Sequence, residues 1–303
     1  MNMASIVFIL LLIVLSCHGL PERYRSFSLR EKRDAQIKYR PVVLIHGLFG
    51  KNSSLQEMEE LIKEKHPGTK VYNIHLFNGH KSFANLWNQI DGFYKEMLPV
   101  MNESENGVNL VGYSQGGLIA RGIAQTKNDH KIHNLITISA PLAGHYGNFY
   151  LENMGMTKET AYFMVYLNKM FKSYSVAQYW NDPHQRKHYL KHCEFLPYIN
   201  NEIEGKEKKE YAKNFARLNK LVMIGGPDDG IVSPWQSSRF SFYDEKENVV
   251  DFRKRDIYTK DLFGLKTLDI NNKIQTYERK GIGHYEWPKK EDVITDFVLP
   301  WLD

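Results

Sequence analysis

Cysteine is nearly absent from this 303-residue chain, which has only Cys17 and Cys193. Asp, Glu, Lys and Arg are all missing from residues 1–19, where Ile6 to Leu15 is an unbroken apolar run of signal-peptide length, short for a bilayer span. The stretch reads as a secretory leader cleaved after Gly19. Cleavage would remove Cys17, leave Cys193 as the sole thiol and exclude an intrachain disulfide. About 280 remaining residues can bury a large core without bridges. Cys193 lies outside any nucleophile-like turn and reads as a quiet, buried thiol. No later stretch is apolar enough to cross a membrane, so the mature chain is expected to be soluble. The sequence has neither a P-loop nor a metal-ligand cluster, so no metal and no nucleotide cofactor is expected. Net charge is only +5 and the basic residues are scattered, which speaks against nucleic acid as a partner. The exception is an arm over residues 20–40, where seven Lys and Arg side chains interleave with a few acids. Within it, Arg30-Glu31-Lys32-Arg33 has the spacing of a processing-protease site.

What is present centres on Val108 to Ala124, a short apolar strand, a sharp turn and an amphipathic helix. The turn carries Gly112-Tyr113-Ser114-Gln115-Gly116, a Gly-x-Ser-x-Gly pattern. Small residues flank the serine because a tight strand-to-helix turn brings two backbones together. Ser114 is the candidate nucleophile, and the start of the following helix offers free N–H groups to a developing oxyanion. Upstream, Pro41 to Ile45 reads as a strand buried on both faces. It ends in His46-Gly47-Leu48-Phe49-Gly50, where the Leu48 N–H suits a second oxyanion donor and His46 reads as shaping the loop. Downstream, Lys220 to Ile224 is a strand followed by Gly225-Gly226-Pro227-Asp228-Asp229-Gly230. Either Asp228 or Asp229 could orient an imidazole there, with Asp229 the preferred choice. His284, on the small-residue loop Gly281-Ile282-Gly283-His284, stands where a general base belongs. The order Ser114, Asp229, His284 is the one such hydrolases use.

Strand and helix alternate through the first half. Helices are expected at Ser54–Lys65 and Ser82–Met97, and strands at Val71–Leu76 and Leu135–Ser139. This predicts an α/β fold, a mostly parallel, doubly wound sheet with helices on both faces. Residues 41–303 are read as one domain carrying an inserted helical or loop-rich cap at about 145–215. The cap is dense in Tyr, Phe, Met and Trp, part of which would line a channel for a flexible acyl chain. Glu204–Glu210 reads as a charged loop, Lys273–Tyr277 as the last strand and Glu291–Leu299 as a closing helix. Asn52 and Asn102 begin N-glycosylation sequons at expected connections.

Several long blocks in register carry a resemblance. They include Val43-Leu44-Ile45-His46-Gly47-Leu48-Phe49, the Ser114 turn extended to Leu118, Tyr179-Trp180-Asn181-Asp182-Pro183-His184, Gly225 to Gly230, Pro234-Trp235-Gln236-Ser237-Ser238, Phe242-Tyr243-Asp244 and Phe263-Gly264-Leu265-Lys266-Thr267-Leu268. Across most of the mature sequence the chain resembles the palmitoyl-protein thioesterase family, in particular its lysosomal-thioesterase type. The resemblance implies an α/β-hydrolase that cleaves long-chain acyl thioesters in lysosomes, reached by the secretory pathway, with secretion as the alternative destination. It implies Ser114 as nucleophile, Asp229 as acid, His284 as base, and Leu48 and Gln115 as backbone oxyanion donors. The partner implied is a fatty acyl thioester, with transient membrane or lipid contact open. Family members carry several disulfide cysteines that this chain lacks, so bridging of the cap does not transfer. An oxyester lipase or carboxylesterase uses the same triad, and a non-catalytic lipid-binding homologue is the reading from another class.

Overall fold

Val42–Ile45 (β1) is four apolar residues without a polar alternation, as a strand covered on both faces requires, and all four are buried. It lies between Val71–Asn73 (β2) and Val108–Tyr113 (β3), parallel to both. Ile132–Ile138 (β4), Lys220–Gly225 (β5) and a further strand at Ile274–Glu278 continue the sheet, giving the spatial order β2-β1-β3-β4-β5 and then Ile274–Glu278. Every pairing among these six strands is parallel. The computed structural model describes residues 39–51, 53–147, 157–205 and 207–302. The expected leader, most of the basic arm and Asn52 lie outside the described residues.

The two-residue period of each strand sorts its side chains between two cores. Val43, Ile45, Leu110 and Leu135 face one layer, with Gln56–Lys65 (α1) on the opposite side of the sheet. That first layer is built by Leu86–Glu103 (α2) through Ile90, Phe93 and Met97, and by Gln115–Thr126 (α3) through Leu118, Ile119 and Ile123. Val42, Leu44, Val111 and Ile136 face the other, where Met58 and Ile62 of α1 meet Val293, Ile294 and Val298 from the end of the chain. Among its described residues, the long connection between β4 and β5 consists of short helical turns together with the longer helices Arg186–His192 (α4) and Lys208–Ala216 (α5).

Several boundaries differ from the sequence reading. β2 stops at Asn73 rather than Leu76, because this edge strand has β1 as its sole partner and the chain departs after Ile74 donates to the Leu44 carbonyl. α2 runs through Pro99 to Glu103, since Met101 is buried beside Met97 and continued packing outweighs a proline that disfavours helix interiors. Asn102 therefore sits exposed in the last turn of α2, not in a connection. Lys208 to Glu210 open α5 rather than completing a charged loop. The closing helix has a single α-turn at Glu291–Val293, a wider turn at Ile294–Val298 and a 3-10 turn at Leu299–Trp301, where Pro300 interrupts regular bonding.

The strand order reverses at β1. β2 lies on one side of it and β3 on the other, so the loops leaving β1 and β3 separate at their carboxyl ends and open a crevice.

Candidate active site

Ser114 follows β3 at the reversal point and caps α3 with φ 54° and ψ −127°, a strained conformation outside the usual regions for a serine. Its neighbours permit the turn because they lack side chains. A Cβ on Gly116 would lie 2.2 Å from the Ile45 carbonyl oxygen, and one on Gly112 2.5 Å from the Gly116 carbonyl oxygen.

Ser114 Oγ lies 2.9 Å from His284 Nε2. The imidazole Nδ1 is 3.0 Å from each oxygen of Asp229. A proton on Nδ1 donates to the carboxylate, which leaves Nε2 free to accept from the serine hydroxyl. Both His284 and Asp229 are buried, and the His284 backbone N–H donates to the Asp229 carbonyl at 2.8 Å, tying the two loops together. Asp228 is exposed and accepts from the Gly281 N–H at 2.7 Å, so it braces the histidine loop from outside.

Three side chains that support Asp229 and His284 were not legible in the sequence. The Ser139 hydroxyl donates to Asp229 Oδ2 and lies 3.0 Å from His284 Nδ1. Trp287 Nε1–H donates to the same Oδ2 at 2.8 Å. The Tyr113 hydroxyl donates to the His284 carbonyl at 2.6 Å. The N–H groups of Ile231 and Val232 take the other carboxylate oxygen at 3.1 and 2.8 Å. Burial pushes the Asp229 carboxyl up, but His284, Ser139 and the Val232 amide outweigh it and hold the group below the usual carboxylate range. The available signal for Ser139 was position: it ends the strand beside the acid-bearing one, on the edge where α/β sheets gather functional groups.

Gly47 packs against Ser114. A Cβ built there would lie 2.7 Å from Ser114 Cβ and 3.2 Å from its Oγ. Leu48 follows directly and borders the same cavity as Ser114. Gln115 begins α3 with its side chain committed elsewhere, donating to the Ser82 carbonyl at 2.8 Å. His46 bridges the Gly47 and Leu76 carbonyl oxygens at 2.8 Å each, so its ring is engaged in the loop. A Gly47→Ala variant is expected to fold and to lose about 10²-fold in kcat, because the methyl displaces the serine by a fraction of its reach. Steady-state hydrolysis alongside a thermal melt would check this, and an unchanged kcat would show that the turn yields.

The serine opens onto a cavity of about 290 Å³. Leu48, Phe49 and Phe83 line it from one side and Val165, Phe171 and Trp180 of the β4–β5 connection from the other. Such a wall suits an aliphatic chain. His145 also lines it. Burial holds this imidazole down to about 4, and its Nδ1 accepts from the Ser233 N–H at 3.2 Å, which fixes a neutral ring in the wall. Cys193 is buried, donates to the Gln178 carbonyl at 3.1 Å and has its thiol pushed up to about 12 by burial, so it carries no thiolate near neutrality.

Known proteins match most of the length of this chain. Lysosomal thioesterase PPT2-B of Xenopus laevis is 40% identical over 277 residues, covering 89% of this chain and 94% of its own. The lysosomal thioesterase PPT2 homolog of Drosophila melanogaster is 39% identical over 269 residues, covering 88% and 93%. Lysosomal thioesterase PPT2 of Homo sapiens is 38% identical over 269 residues, covering 88% and 89%. The family model described as palmitoyl protein thioesterase matches residues 41–284, from the start of β1 to His284. With its parallel sheet and its strand-serine-helix turn, this α/β-hydrolase chain belongs to the palmitoyl-protein thioesterase family.

Proposed function

We propose that this chain is a lysosomal serine thioesterase that hydrolyses long-chain fatty acyl thioesters through an acyl-serine intermediate. The observation that carries the reading is one relay, Ser114 to His284 to Asp229, opening onto a cavity of about 290 Å³ lined mostly by apolar side chains. In this reading Ser114 Oγ attacks the thioester carbonyl carbon as His284 Nε2 takes its proton. The N–H groups of Leu48 and Gln115 hold the oxyanion. The tetrahedral intermediate collapses, the carbon–sulfur bond breaks, and the proton on His284 goes to the departing sulfur. Water then attacks the acyl-serine with His284 again as base, releasing the fatty acid and restoring the serine. A thiol has a pKa of about 8.5, so its departure demands less acid assistance than that of an alcohol. Residues 41–303 act as one domain in which the segment at about 145–215 serves as a cap. Destination in the lysosome rests on the names of the relatives and on the leader, with glycans proposed at Asn52 and Asn102 along that route.

Turnover of palmitoyl-CoA, an S-palmitoylated peptide and a palmitoyl oxyester of matched alcohol tests the reading. Both thioesters are expected to be cleaved with higher kcat/KM than the oxyester. An oxyester turned over faster would make the protein a carboxylesterase or lipase on the same triad. No turnover of any acyl substrate would leave a lipid-binding role.

A further inference from the structure

The apolar run Tyr162-Phe163-Met164-Val165-Tyr166-Leu167 divides its side chains unexpectedly. Val165 and Tyr166 are buried, and Val165 lines the acyl cavity. Phe163 and Leu167 on the other side are 54% and 45% exposed, and Met170 just beyond is 75% exposed. A helical turn apolar on both sides has a second face with no partner in this chain's described residues. Along the chain this segment leads into the cavity wall, because Phe171 follows Met170 directly and lines the cavity. Phe49 and Tyr174 are exposed, and both touch Phe83, with ring centroids 4.9 and 6.2 Å away, while Tyr174 also touches Phe171 at 5.8 Å. Phe49, Phe83 and Phe171 all line the cavity.

Charge decides what such a face would meet. Between Phe163 and Glu194 the sequence places five lysines and arginines against two acids, Glu194 and the buried Asp182. Lys169, Lys187 and Lys191 are exposed, and Lys172 pairs with Glu194 at 2.7 Å. His192 stacks on His188 at 5.7 Å and feels the charges of both Lys191 and Lys172, of which Lys172 lies within the Phe171–Tyr174 rim itself. Aromatic and aliphatic side chains rimmed by lysines match the acyl boundary and the headgroups of an anionic bilayer.

We propose that the exposed face formed by Phe163, Leu167, Met170 and Tyr174, with Lys169, Lys172 and Lys191 beside it, docks on anionic lipid bilayers and aligns the cavity mouth with the membrane. The docking role rests on the reading that the cavity takes a long acyl chain. A chain anchored in a bilayer would then pass to Ser114 without exposing its methylenes to water.

Cosedimentation of the mature protein with phosphatidylcholine vesicles, with and without phosphatidylserine, tests the proposal. Binding to the mixed vesicles and not to the neutral ones is expected. Lys169→Gln with Lys191→Gln should weaken binding about thirty-fold. Leu167→Asp with Met170→Asp should abolish it. Both variants should hydrolyse a water-soluble short-chain acyl thioester at the wild-type rate, which establishes their fold. Equal binding to both vesicle types, binding to neither, or undiminished binding by the Leu167/Met170 variant overturns the docking proposal. Failure of the wild type on the soluble thioester overturns the thioesterase reading instead, and leaves the vesicle result to stand separately.

Discussion

Ser114→Ala is expected to lower kcat for palmitoyl thioester hydrolysis by about 10⁶-fold, the loss seen when the nucleophile is removed from a serine triad. The fold should survive, because the Ser114 side chain makes no capping bond to α3 and the conformation of the turn is held by its backbone. Residual turnover would reflect binding and oxyanion donors alone. The variant also separates two serines. Ser139 Oγ lies within 3.0 Å of the same imidazole as Ser114. Ser139, however, is 1% exposed and spends its hydroxyl on Asp229, whereas Ser114 borders the cavity. Mass spectrometry of the wild type quenched during turnover should find an acyl group on the peptide carrying Ser114, and none in the variant. Retained palmitate release by Ser114→Ala would sink the assignment.

The parts of this molecule that follow local rules were legible in the sequence. β1 and β5 announce themselves as continuous apolar runs, and the small residues around Ser114 declare a close approach that Gly112 and Gly116 indeed make. Boundaries governed by tertiary contact were not. Nothing local tells that α2 continues past Pro99, since what holds it is Met101 packed in the shared core. The same holds for the support around Asp229. Ser139 looks like the polar end of a strand, and nothing local singles out Trp287, until β4, β5 and the histidine loop converge. The run from Tyr162 to Leu167 is the converse case, because its apolar content was visible but the division into inward and outward faces needed coordinates.

Asp229→Asn is expected to cost about 10⁴-fold in kcat, as tautomer reversal does in serine triads, whereas Asp228→Asn should stay within about twofold, as surface changes usually do. Oδ1 of Asp229 accepts from the Ile231 and Val232 N–H groups, so an asparagine would keep its carbonyl there. Its NH₂ then replaces Oδ2, opposite the Ser139 hydroxyl, the Trp287 N–H and His284 Nδ1. The hydroxyl can turn, but the indole cannot, and the imidazole must present an unprotonated Nδ1. Its proton moves to Nε2, where it faces Ser114 and the base is lost. Unpaired buried donors should also lower stability by about 1–3 kcal/mol. The same carboxylate predicts a pH dependence. Its folded pKa is below the unfolded value of about 3.9, so the stability it contributes is present above that value and is lost as pH falls through the lower folded one. Wild-type Tm should therefore drop below about pH 4 more steeply than that of Asp229→Asn, which has no carboxyl to protonate. Asp228 has no such link to the imidazole, because its contact is the Gly281 N–H. Equal losses of kcat in the two variants would mean that bracing of the histidine loop, not the tautomer of His284, is what the acidic pair supplies.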